Sequence, residues 1–148
     1  MYYPSGTESI YSREPLLWAA ANGHTMTMSF LLRSAEFDAN SKRYDLERSL
    51  LLAAANGHDT IVKMLFDRAD LDPRDSHGRT PLWAAVARHD AMISLLLDTG
   101  KADINSPDNE GLTPLSVAIM NGRESTIKLL LDRGANIELA NKPVMLID

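Results

Sequence analysis

Apolar residues along this chain gather in short blocks that return at a nearly fixed interval. Four segments superimpose: Glu14-Pro15-Leu16-Leu17-Trp18-Ala19-Ala20-Ala21-Asn22-Gly23-His24, Arg48-Ser49-Leu50-Leu51-Leu52-Ala53-Ala54-Ala55-Asn56-Gly57-His58, Thr80-Pro81-Leu82-Trp83-Ala84-Ala85-Val86-Ala87-Arg88-His89 and Thr113-Pro114-Leu115-Ser116-Val117-Ala118-Ile119-Met120-Asn121-Gly122-Arg123. Their first residues, 14, 48, 80 and 113, lie 34, 32 and 33 positions apart. Each is followed by a second apolar block, Phe30-Leu31-Leu32, Met64-Leu65-Phe66, Leu95-Leu96-Leu97 or Leu129-Leu130-Leu131, and then by a polar stretch. Self-similarity at such a period marks a repeat architecture.

Each repeat reads as a pair of helices. Proline in the first turn fixes φ where no amide hydrogen is needed, and the threonine before it caps the amides of that turn. The Ala-Ala pairs keep the first helix thin, and Asn-Gly supplies the left-handed residue that ends it. In the second helix Ile61, Leu65 and Phe66, or Ile127, Leu130 and Leu131, fall at helical spacing on one inward stripe, with Lys63 or Lys128 left outside. One such pair cannot bury its faces alone, so copies stack and share a continuous core.

The pattern resembles the ankyrin repeat: an aspartate and glycine, Thr-Pro-Leu-His-x-Ala-Ala, Gly-His, an apolar triplet and Gly-Ala-Asp-Val-Asn, matched over roughly residues 9–141. The stretch from Leu95 to Leu115 is similar to repeats abundant in filamentous fungi. The resemblance implies an all-α repeat solenoid, an ankyrin-like stack of helix-turn-helix units with β-hairpin fingers and a concave face. The expected organisation is an N-terminal cap over 1–13, repeats over 14–47, 48–79, 80–112 and 113–140, and a C-terminal cap over 141–148. Tyr2, Tyr3, Ile10 and Tyr11 are expected to cover the first repeat, and Val144-Met145-Leu146-Ile147 the last.

Departures from the pattern set further expectations. Repeat two has Arg48-Ser49 in place of Thr-Pro and Leu46 in place of the hairpin glycine, which makes Phe37–Glu47 the expected irregular finger. It also lacks the glycine between Arg68 and Ala69, and repeat three is one residue short around Leu82-Trp83. The family's histidine after Thr-Pro-Leu is replaced by Leu17, Leu51 and Ser116.

Composition narrows the function classes. The 148 residues carry 20 acidic and 15 basic side chains, a formal charge of −5, which argues against a phosphate-backbone partner. The absence of cysteine removes disulfides, thiolate nucleophiles and cysteine-ligated metals. No apolar run approaches the roughly 20 residues of a bilayer span, so no membrane partner and an intracellular location, cytoplasmic or nuclear, are expected.

No catalytic motif occurs, and no metal or cofactor is expected. His24, His58 and His89 recur at one position of successive repeats, too far apart for a single ion, so structural or solvent-exposed roles are expected. Trp18 and Trp83 read as equivalent, at a position that Leu52 and Val117 fill elsewhere, which argues for packing. Met26, Met28, Met64, Met92 and Met120 read as gap fillers.

Carried over by the resemblance, the partner-binding positions are Tyr11, Arg13 and Asn22; Tyr44, Asp45, Glu47 and Asn56; Ser76, His77 and Arg79; and Asn109, Glu110, Leu112 and Asn121. The expected function is a non-enzymatic module that binds a protein through its concave face, as a monomer unless uncapped ends self-associate. The alternative is a groove adapted to a small molecule, as a binding pocket or a cyclase-like enzyme of fungal secondary metabolism, lined by Tyr11, Trp18, Tyr44, Trp83 and His77.

Overall fold

The computed structural model describes residues 15–34, 37–38, 43–68, 73–87 and 89–141. Among them every regular element is a helix: α1 (Pro15–Asn22), α2 (Thr25–Arg33), α3 (Arg43–Ala55), α4 (Asp59–Phe66), α5 (Pro81–Ala85), α6 (Asp90–Asp98), α7 (Pro114–Met120), α8 (Glu124–Asp132) and α9 (Ile137–Ala140). They fall into two compact units, Met1–Pro73 and Arg74–Asp148. In the first, α1 packs on α3 and α2 on α4; in the second, α5 packs on α7, α6 on α8 and α9 on α7.

The alanines do what their size allows. Ala19, Ala20, Ala53 and Ala54 are fully buried, and Leu17, Ala21 and Leu52 form a cluster between α1 and α3. Behind them Met28, Leu50, Ile61, Val62 and Leu65 close the core of the first unit, as Leu82, Met92, Ile93, Leu96, Leu115 and Leu130 close that of the second. Each leucine-sized side chain so buried contributes on the order of 1.5–3 kcal/mol.

Where Thr-Pro is present, the helix starts as its chemistry requires. The Thr80 hydroxyl accepts from the Trp83 amide at 3.2 Å, and the Thr113 hydroxyl from that of Ser116 at 3.2 Å. Ser116 returns the bond to the Thr113 amide at 3.3 Å, which makes a capping box.

Five expectations need correction. First, repeat two carries no finger over Arg43–Glu47. With no proline to fix the first turn, the helix extends back to Arg43, and Leu46 is fully buried one turn before Leu50. Tyr44, Asp45 and Glu47 are thus helical. Second, no strand occurs among the described residues; the fingers at Asp75–Arg79 and Asp108–Leu112 are tight turns, each closed by two backbone bonds, from the aspartate amide to the carbonyl at the far end and from the glycine amide back to the aspartate carbonyl.

Third, the missing residue of repeat three lies after α5, not around Leu82-Trp83. In the other pairs the closing amide reaches back five residues, His24 to Ala19, His58 to Ala53 and Arg123 to Ala118. The His89 amide reaches back four, to Ala85. The absent residue is the glycine that elsewhere adopts positive φ in this turn, at Gly23, Gly57 and Gly122. Fourth, counting from the cap, Trp83 is the third helical residue, level with Ser116, whereas Trp18 is the fourth helical residue with Pro15 as the first. The two tryptophans are not equivalent. Fifth, Met26, Met120 and Leu131 are exposed rather than packed, whereas Met28 and Met92 are buried. The proposed N-terminal cap with Tyr11 and Arg13, residues 142–148 of the C-terminal one, and the missing glycine's neighbour Ala69 lie outside the described residues.

Candidate functional site

The second unit carries two fingers built alike. The Asp75 carboxylate accepts from the amides of His77 (2.8 Å) and Arg79 (2.9 Å), and the Asp108 carboxylate from those of Glu110 (2.9 Å) and Leu112 (2.9 Å). In each turn one carboxylate oxygen thus fixes two backbone amides that a loop would otherwise leave to water. The fingers are then laced together. The Asn109 amide donates to the His77 carbonyl at 2.8 Å and its carboxamide to the Ser76 carbonyl at 3.1 Å. Arg74 adds bonds to Ser106 Oγ (2.6 Å) and to the carbonyls of Pro107 (3.2 Å) and Gly78 (3.3 Å). The side chains of Ser76, His77 and Glu110 remain exposed on this braced frame.

Behind the fingers, Trp83 is held by two neighbours. Its indole N–H donates to the Leu112 carbonyl at 3.2 Å, and the Arg79 guanidinium lies over its ring, 4.5 Å from the centroid. The tryptophan is half-buried and occupied on one face, which fits the packing role expected of it.

A second set of bonds joins one helix pair to the next, and sequence reasoning missed it. His58 Nε2 lies 3.1 Å from the Ala21 carbonyl, which also accepts from the Asn56 carboxamide at 3.3 Å. Arg123, at the position equivalent to His58, donates to the Ala87 carbonyl at 2.8 Å. In both cases the residue before the second helix satisfies a carbonyl of the preceding pair, Ala21 in the last turn of α1 and Ala87 in the turn after α5. Asp90 completes the join in the second unit by accepting from Thr126 (2.5 Å) and Ser125 (2.9 Å), with Arg123 at 3.5 Å. The Thr126 hydrogen bond holds the Asp90 carboxyl below the usual carboxylate range against the opposing pull of burial; Ser125 and Arg123 act in the same direction as Thr126. Arg133 meets Asp98 at 2.7 Å farther along the same pair of helices.

The sequence-derived positions therefore divide. Ser76, His77 and Glu110 come together at the finger tips, with Arg79 and Leu112 half-buried behind them, and Asn121 is exposed at the end of α7. Asn22 bonds the Trp18 carbonyl at 2.8 Å, so it, Asn56 and Asn109 brace the fold with their carboxamides. Tyr44, Asp45 and Glu47 stand in the first turns of α3, where Glu47 pairs with Arg43 at 3.1 Å and Tyr44 faces Arg48. The signal for the aspartates was available in the repeated Asp-x-x-Gly at 75–78 and 108–111; Arg123 was hidden because an arginine stands where the other copies carry histidine.

Helix pairs that repeat with this register, capped by Thr-Pro and joined through Asp-x-x-Gly turns, correspond to a family model described as ankyrin repeats (3 copies), which matches residues 5–75 and again 50–141. The chain belongs to the ankyrin-repeat family. Among curated proteins it is similar to inversin of Danio rerio, 39% identical over 69 residues, which is 45% of this chain and 7% of inversin. The 26S proteasome non-ATPase regulatory subunit 10 of Dictyostelium discoideum is 39% identical over 66 residues, 44% of this chain and 28% of that protein. The B-cell lymphoma 3 protein homolog of Mus musculus is 38% identical over 68 residues, 43% of this chain and 15% of its own length. The chain thus matches less than a third of each of these relatives. Ankyrin repeats are in general protein–protein interaction modules. Among the described residues no helix is long and apolar enough to cross a membrane, and no three His, Asp or Glu side chains gather as metal ligands.

Proposed function

We propose that this ankyrin chain binds a protein partner through the finger side of its repeats, with Ser76, His77, Arg79, Glu110, Leu112 and Asn121 in contact. The observation that carries the reading is the lacing of two fingers by Asn109, which leaves the tips exposed on a frame already fixed by hydrogen bonds. Such a surface loses little conformational entropy when it docks, so a modest area of contact suffices. The helix-borne Tyr44, Asp45 and Glu47 are proposed contacts of the first unit, where Asn22 and Asn56 brace the fold as Asn109 does in the second.

Site-specific photo-crosslinking tests this reading. A benzophenone side chain at position 77 is expected to capture a distinct protein from an extract of the source cells, competed by unlabelled chain. The same group at Lys128, exposed on α8, is expected to capture none. Equal labelling from the two positions, or specific capture only from position 128, refutes the finger-side surface.

A further inference from the structure

We propose that Arg79 is a preformed anchor for a single carboxylate side chain on the docking partner, and that an apolar residue beside that carboxylate seats against Leu112 and Trp83. This inference rests on the finger-side reading above and adds the chemistry that is recognised.

The arginines of the second unit differ in what they hold. Arg74 is engaged by Ser106, Pro107 and Gly78, Arg123 by Ala87 and Asp90, and Arg133 by Asp98. Arg79 lies on the indole of Trp83, and its buried Nε has no hydrogen-bond partner among the described residues. The two carboxylates nearest in sequence, Asp75 and Asp108, are turned to backbone amides of their own fingers.

A guanidinium half-buried without an acceptor is poised for an anion. Its Nε is shielded from water, and the Nη donors beyond it form charge-assisted bonds with an arriving acceptor in the two-pronged geometry that arginine favours. The stack on Trp83 fixes the plane of the fork, and the indole is pinned in turn by the Leu112 carbonyl. The side-chain ordering that binding normally requires is already done.

The charge distribution argues for one carboxylate rather than a polyanion or a phosphate. The chain carries −5, and Asp75, Asp108 and Glu110 stand on the same two fingers as Arg79. A multiply charged ligand meets their repulsion, whereas one carboxylate is matched by one guanidinium. The half-buried Leu112 and Trp83 supply an apolar margin that a protein segment can use.

The test selects random 12-residue peptides displayed on phage against the immobilised full chain. The enriched peptides are expected to share Asp or Glu at one position, with an apolar residue next to it. In calorimetry a synthetic peptide from that set is expected to bind wild type at least tenfold more tightly than Arg79→Gln, with Arg79→Lys intermediate and Arg33→Gln unchanged. Changing the peptide acid to its amide is expected to cost wild type the same factor and to cost Arg79→Gln nothing more; circular dichroism verifies that each variant is folded.

Failure to enrich any binder, enrichment without a fixed acidic position, additive losses in the two changes, or tighter binding of a phosphoserine at the acidic position overturns the proposal. Two further variants, Ser76→Arg and Glu110→Arg, separate the readings. If they abolish peptide binding while Arg79→Gln does not, the finger surface stands and the carboxylate anchor falls. If neither they nor Arg79→Gln affects binding, both fall.

Discussion

Removing the Asp90 carboxylate is expected to loosen the last helix pair of the second unit by about 2 kcal/mol at neutral pH. The figure comes from unequal contacts. Thr126 is fully buried, and Asp90→Ala leaves its hydroxyl hydrogen without the acceptor it has at 2.5 Å, a loss of about 1–3 kcal/mol. The Asp90 side chain is 37% exposed and Ser125 is exposed, so the Ser125 and Arg123 contacts compete with water and add only about 0.2–1 kcal/mol between them. Arg123 keeps the Ala87 carbonyl and the Thr126 oxygen, so its charge is not stranded. The pH dependence has a definite sign. The folded state lowers the pKa of Asp90, so its charge-dependent stabilisation is fully present above the unfolded value near ~4 and fades as pH falls through the folded one. Urea titrations followed by tryptophan fluorescence and circular dichroism, at pH 7 and near pH 2.5, measure the gap between wild type and Asp90→Ala. The gap is expected to narrow in acid, and Asp90→Ala combined with Thr126→Val is expected to cost little more than Asp90→Ala alone. A gap below about 0.5 kcal/mol at pH 7, a gap that widens in acid, or full additivity of the two substitutions refutes the latch.

Two stability changes of opposite sign follow from the first unit. The Ser49 hydroxyl is fully buried without a hydrogen-bond partner among the described residues, so Ser49→Ala is expected to raise stability by about 1 kcal/mol, read as a higher melting temperature by calorimetry; a lower one means that the hydroxyl is satisfied. A methyl added at Gly23 stands 2.7 Å from the His58 ring in addition to the strain of its φ of +72°, whereas one at Gly122, with φ of +65°, meets nothing within 4 Å. Gly122→Ala is therefore expected to cost about 1 kcal/mol of backbone strain and Gly23→Ala clearly more; equal losses by chemical denaturation rule out the clash with His58.

The repeat was legible because helix capping and small-residue packing are local chemistry written into each copy. Thr80-Pro81 and Thr113-Pro114 open helices, and paired alanines lie between helices, for reasons contained within a few residues. Repeat two departs from its period for a related reason. Position in the period places a finger there, yet Arg43–Leu50 holds neither a proline nor a glycine to stop a helix, and the spacing of Leu46 and Leu50 rewards continuing it.

What lay beyond the sequence was the choice of partner between copies. His58 and Arg123 differ in charge and shape, and comparison by residue type reads the second as a departure from the first. In the fold each stands before the second helix of its pair, within hydrogen-bonding distance of a carbonyl at or just past the end of the preceding first helix. The requirement at that position is a hydrogen-bond donor of sufficient reach, and several side chains meet it. Arg79 follows the same logic from the other side: its family position marks it as a surface residue, but only the indole of Trp83 beneath it and the diversion of Asp75 to backbone amides leave its guanidinium without an internal acceptor. A repeat protein can thus keep its period while each copy reassigns its donors, and the donor left over after the internal bonds are made is where recognition has most to gain.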